Sequence, residues 1–126
     1  MLVVAGLHAI PISTTQRVDD ARAIFVLGRR RETLRRLRED PRAALCVLGE
    51  GVAFTAHGRA LVLREQLEKV PVAALELLVD HVQDHLADGR TEMLDGARWR
   101  WRDPDAAAAD EQVVAELTRL AGSEAT

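Results

Sequence analysis

Two apolar stretches rich in β-branched residues, Leu2 to Ile12 and Ala23 to Leu27, flank the polar segment Gln16 to Arg22, whose Asp19-Asp20 pair suits a turn. The pattern predicts a β-hairpin with Pro11 at an edge or bulge, where its missing N–H does no harm. Arg29 to Glu39 reads as a short surface helix with only Leu34 and Leu37 turned inward. Asp40-Pro41 stops it, because the residue before a proline is pushed out of the helical region. Ala43 to Leu48 follows as a buried strand and Gly49-Glu50-Gly51 as a tight turn. Val52 to Leu63 is then a long strand in which Val52, Phe54 and Ala56 alternate with Ala53, Thr55 and His57. Gly58 breaks that alternation and marks a bulge or a close backbone approach.

The second half changes period. From Pro71 to Leu86, Val72, Leu75, Leu78, Val79, Val82 and Leu86 share one helical face, so an amphipathic helix is expected, with Pro71 in its first turn. Gly96 to Arg102 alternates strictly and predicts a final short strand. A last helix, about residues 104–121, starts near Asp103-Pro104. It carries Val113, Val114, Leu117 and Leu120 inward, with Asp105, Asp110 and Glu111 early, where the helix dipole favours acids. The order β-β-α-β-β-α-β-α, with hairpins in place of repeated βαβ crossovers, indicates an α+β domain with a mainly antiparallel sheet or small barrel. Residues 1–126 read as one domain, without internal repeat or linker.

Composition fits a globular chain, with 48% apolar and 29% charged residues. Only 3% are aromatic, which nearly excludes a surface that stacks nucleic-acid bases on rows of rings. Of 17 basic residues Lys69 is the single lysine, so a lysine-based covalent mechanism has one candidate. The single cysteine, Cys46, removes a disulfide framework and any multi-cysteine metal site, and within Ala43 to Leu48 it reads as a small buried hydrophobe. No basic residue precedes the first apolar stretch, unlike a secretory signal, and no run approaches a membrane span, so a cytoplasmic protein is expected.

The net charge of −3 hides an asymmetry. Residues 1–64 hold 11 basic and 6 acidic side chains, residues 65–126 hold 6 and 14. Much of the positive excess lies between Gly28 and Pro41, a pattern open to nucleic acid, to a small phosphorylated ligand, or to a solvated helix facing the acidic half. Dinucleotide, P-loop and nucleophile-elbow signatures are missing. His81 and His85 stand i, i+4 and formally match an inverted zinc-protease spacing, with Asp84 where that motif has Glu. Both flank an apolar stripe, so packing at a helix edge or a dimer interface is expected of them, and no metal site. His8 and His57 read as structural.

Three passages resemble the pyridoxamine 5′-phosphate oxidase-related family of flavin-binding split barrels. They are His8-Ala-Ile-Pro-Ile12, the helix-to-strand passage Arg29 to Leu45 with its Asp40-Pro-Arg-Ala-Ala-Leu45 ending, and Val52 to Ala60 with its Gly58-Arg-Ala60 step; Arg98 to Pro104 matches loosely. The resemblance implies a six-stranded, mainly antiparallel split β-barrel with flanking helices, forming a homodimer with flavin sites at its interface. It places the flavin phosphate near the start of the first helix, at Arg29, Arg30, Arg31 and Thr33. Helix N-termini and arginine forks do favour phosphate on physical grounds. It also puts Ser13 and Thr14 beside the isoalloxazine ring, and Trp99 or Trp101 of the other subunit over it. Thr33 stands where many members have lysine, which weakens the phosphate site unless an arginine substitutes. No residue for general acid–base work is apparent.

The expected activity is therefore that of an FMN-dependent oxidoreductase, or one using the deazaflavin F420; family members also hold haem or no cofactor. The cofactor would carry the redox chemistry, with the protein anchoring and orienting it. A cofactor-free dimeric split-barrel protein with a binding or structural role is the alternative. Nucleic-acid binding through the arginine helix is disfavoured by the negative net charge and the few aromatics.

Overall fold

The apolar stretch from Leu2 does not run to Ile12 as one strand. Gly6 and Leu7 both adopt positive φ, at 86° and 56°, and fold it into a hairpin of β1 (Leu2–Val4) and β2 (His8–Ile10). A second hairpin joins β3 (Thr15–Asp19) to β4 (Arg22–Gly28), with the turn at the expected aspartates: the Asp19 carboxylate accepts the Ala21 N–H at 2.9 Å and Arg22 Nε at 2.8 Å. The first helix, α1 (Glu32–Glu39), stops at Asp40 as expected, and β5 (Arg42–Gly49) pairs through the tight turn with β6 (Val52–Arg64). These elements and those below describe residues 1–125 of a computed structural model.

The expected helix from Pro71 is instead β7 (Val72–Asp84), paired antiparallel with β4 on one side and β6 on the other. Both faces of its first half are covered, so Ala73, Ala74, Leu75 and Leu77 are all fully buried. A strand buried on both faces shows no polar alternation, and its leucines then match helical spacing by coincidence. The expected strand at Gly96 to Arg102 also fails to form: this segment is irregular, and Trp99 and Trp101 are exposed and packed edge to face at 5.2 Å. The sheet's free edges are β2 and β3, and this segment pairs with neither.

The result is an α+β fold built on one antiparallel seven-stranded sheet in the order β2-β1-β5-β6-β7-β4-β3. Its edges β2 and β3 share no ladder, so the sheet is not closed. It is nonetheless strongly curled. Only Pro11 to Thr14 link the two edges, a reach of about 17 Å for five extended steps, whereas seven flat strands span about 29 Å.

The concave face buries Leu2, Phe25, Leu27, Leu45, Leu75 and Leu77, and α1 caps it with Leu34 and Leu37, the two leucines expected to face inward. On the convex face Ile24 and Ala74 pack against Leu67 and against α2 (Pro104–Ala125). Val113 and Leu117 of α2 point inward as expected, but Val114 is 44% exposed. The buried side chain of Glu116 turns in as well, and its carboxylate accepts the Glu68 N–H at 3.0 and 3.1 Å. Gly58 sits at a register shift between β6 and β7, as its place in the strand suggested. Among the described residues no helix is long and apolar enough to cross a membrane.

Candidate functional site

Strand β4 ends at Gly28, and the Arg31 N–H donates to the Gly28 carbonyl at 3.0 Å, turning the chain into α1. Arg31 is the N-cap of that helix in extended conformation, and no side chain caps it. The first N–H groups of α1 therefore lack a side-chain acceptor, which leaves a positive helix end open to an anion. Around it Gly28, Arg29, Arg30, Arg31, Arg38, Glu65 and Pro71 line a cavity of about 780 Å³. Arg29 donates to Gln66 Oε1 at 2.7 Å and Arg38 pairs with Glu65. Arg30 and Arg31 have no side-chain partner among the described residues.

The remaining helix arginines are occupied. Arg35 and Arg36 both pair with Glu32, and Arg35 also reaches Glu39 at 2.7 Å. The hydrogen bond from Arg35 holds the Glu32 carboxyl down at about 2, from an ordinary 4.5. A pKa lowered in the folded state means that this pairing contributes fully above the unfolded value, near 4.5, and fades as pH falls toward about 2. An NMR titration is expected to find the Glu32 midpoint near about 2 and, in Arg35→Gln, back toward 4.5. An unshifted midpoint in the native chain would show that Glu32 is solvated and free to repel an anion at the helix start.

A second cavity, of about 280 Å³, adjoins the first, and the two share Gly28 and Arg31. Its walls are the edge-to-edge linker from Ile10 to Thr14, the end of β4, Trp101, and the α2 residues Ala106, Ala109, Asp110 and Val113. Ser13, Thr14 and Arg31 thus meet in one place, and Arg29 and Arg30 stand next door. Two other expected site residues do not join them. Thr33 is 1% exposed, with its hydroxyl 2.8 Å from His8 Nε2 and no surface in either cavity. Trp99 is 59% exposed and lines neither; the indole at the site is Trp101, from the same chain.

Thr14 is also less available than its position suggests, being buried with its hydroxyl donated to Asp110 Oδ1. Asp110 is the residue that sequence reasoning missed. It reads locally as an acid favoured by the helix dipole, and its partner lies 96 positions away.

A third cavity, of about 510 Å³, opens at the opposite end of the concave face between Leu45, Val47, Phe54 and Leu77. It is larger than the linker cavity and mostly apolar, but its two arginines, Arg17 and Arg22, are both paired with aspartates of the β3–β4 turn. Nothing there competes with Arg30 and Arg31 for a phosphate.

The histidines are arranged differently from the helical expectation. His81 lies on β7 and His85 just past its end, so the two do not share a helical face. His81 stacks on His57 across the ladder at 4.5 Å, and His85 bonds Thr55 at 2.7 Å. No group of three or more metal-ligating side chains occurs among the described residues. Cys46 is half-buried on β5. Neither the models of known protein families nor the curated proteins give this chain a match.

Proposed function

We propose that the chain is a flavin-binding split-barrel protein of the pyridoxamine 5′-phosphate oxidase-related kind, a cytoplasmic homodimer that works as an oxidoreductase with FMN or the deazaflavin F420. The observation that carries this reading is the junction of the two cavities at Gly28 and Arg31. One side offers an uncapped helix start and two arginines without partners among the described residues, a donor set suited to a phosphate. The other offers the linker backbone, small aliphatic side chains and one indole, a slot suited to a flat ring. A phosphorylated ring compound fits this pair of spaces better than a nucleic acid, whose backbone needs an extended basic track.

In this reading Arg30 and Arg31 hold the phosphate, with Arg29 at the rim. Thr33 takes no part, and the arginines supply the charge of the family's lysine. The flavin, when bound, would supply hydride-transfer chemistry, and the chain's own residues anchor, orient and partly cover it. The curled sheet, with its edges joined by four residues, supports the split-barrel assignment. The dimer is supported by the sheet face that α2 leaves bare, where Val3, Leu48 and Leu61 are 40 to 53% exposed. The buried Thr33 favours one competing reading, a split-barrel dimer that has lost its cofactor.

Adding FMN or F420 to the purified protein separates the two. A shifted and quenched flavin spectrum that saturates is expected; no spectral change at saturating concentrations of either cofactor sinks the flavin reading.

A further inference from the structure

The polar groups of the linker cavity have a direction. A threonine hydroxyl carries a single proton, and Thr14 gives its proton to Asp110 Oδ1. The Ser13 to Thr14 contact at 3.3 Å must then run from the Ser13 proton to the Thr14 oxygen. Both hydroxyl protons are thereby directed at protein. What Ser13, Thr14 and Asp110 leave for a ligand is acceptors alone: the lone pairs of Ser13, and Asp110 Oδ2, which has no partner among the described residues. At the other end of the joined cavities Arg30 and Arg31 offer donors alone. The space is therefore bipolar, with Arg31 at the junction.

We infer that Asp110 is a specificity-determining residue: it accepts a hydrogen bond from an N–H or hydroxyl donor on the ring end of the ligand and keeps anionic groups away from that end. This rests on the flavin reading above and sharpens it, because it gives the ligand one direction of entry. A phosphate placed in the linker cavity would face the free oxygen of the Asp110 carboxylate, whereas one placed at the start of α1 meets arginines and N–H groups, with the one carboxylate lining that cavity, Glu65, already paired with Arg38. The isoalloxazine imide N–H and the ribityl hydroxyls are donors of the required kind. The wall formed by Trp101 is apolar apart from its indole N–H and leaves the carboxylate as the charged contact on that side.

The test uses the full chain with two probes, FMN and inorganic phosphate, each titrated by calorimetry. Asp110→Asn keeps the size of the side chain and the acceptor for Thr14 but replaces the free oxygen with a donor. It is expected to weaken FMN roughly 10- to 100-fold, as for a lost hydrogen bond to a charged group, and to leave phosphate binding unchanged. Because the acceptor for Thr14 is kept, urea unfolding of Asp110→Asn is expected to match that of the native chain.

Equal FMN affinity in Asp110→Asn overturns the inference and leaves the flavin reading standing. A fall in stability, or a loss of phosphate along with FMN, also overturns it, because it would mark the Thr14–Asp110 contact as structural. Failure of the native chain to bind FMN overturns the inference together with the flavin reading.

Discussion

Replacing Arg30 and Arg31 together with alanine is expected to weaken FMN binding by roughly a hundredfold, with little change in stability. Each side chain is exposed and unpaired among the described residues, so its removal breaks nothing inside the protein. A charge-assisted hydrogen bond to phosphate contributes about 1.5 to 3 kcal/mol. Solvent screening at an exposed site argues for the low end, about tenfold per arginine. Arg29→Ala and Arg38→Ala serve as comparisons. These two residues are already engaged by Gln66 and Glu65, so each should have a smaller effect. Fluorescence titration of FMN at low and high salt compares the three variants with the native chain. Native affinity in the double variant would return the arginine cluster to the status of a solvated helix entry.

The largest effect on stability is expected at Gly58. A Cβ there would lie 1.9 Å from the carbonyl oxygen of Leu78 and 3.1 Å from the Cα of Val79. Both are backbone atoms in the centre of the sheet, held by the β6–β7 and β4–β7 ladders, and cannot move aside as a flexible side chain would. Gly58→Ala is therefore expected to cost about 3 kcal/mol or more. The sign is informative. Where the space is open, the same change usually stabilises by about 0.4 to 1 kcal/mol, through the entropy of the unfolded chain. The φ of Gly58 lies outside the positive region, so a loss measures close approach and not backbone torsion. Urea unfolding of the two proteins, compared at unchanged slope, decides it. A variant as stable as the native chain would mean that the bulge relaxes.

Several features of this fold are legible in a few residues each. Asp40-Pro41 ends α1, Gly49-Glu50-Gly51 turns β5 into β6, Asp19-Asp20 turns β3 into β4, and Asp103-Pro104 opens α2. Each is a local stereochemical instruction that acts wherever the chain goes. The arginines at the start of α1 belong to the same class, since a short helix with two inward leucines has to leave its charges outside. The misreadings have a common origin. Val72 to Val79 carries no mark of its partners, and only the layers on both sides of β7 make it a strand. Gly96 to Arg102 has the alternation of a strand but pairs with neither edge of the sheet, β2 or β3, and alternation without a ladder partner does not make a strand.

The candidate site divides along the same line. Arg29, Arg30 and Arg31 are neighbours in sequence, so their clustering at a helix start follows from local structure. Ser13, Thr14, Trp101 and Asp110 come together only because the sheet curls, the linker crosses between its edges, and α2 packs on the convex face. The turns, the helix stops, the antiparallel α+β character and the place of the positive charge can be read from the residues alone, since these depend on residues within one or two turns of each other. The tertiary structure alone decided that β7 is a strand, that Thr33 is buried, and that Asp110 faces the linker. Those outcomes rest on contacts across tens of residues, whose energies come from burial and hydrogen bonding in the assembled layers and leave no periodic trace in the chain.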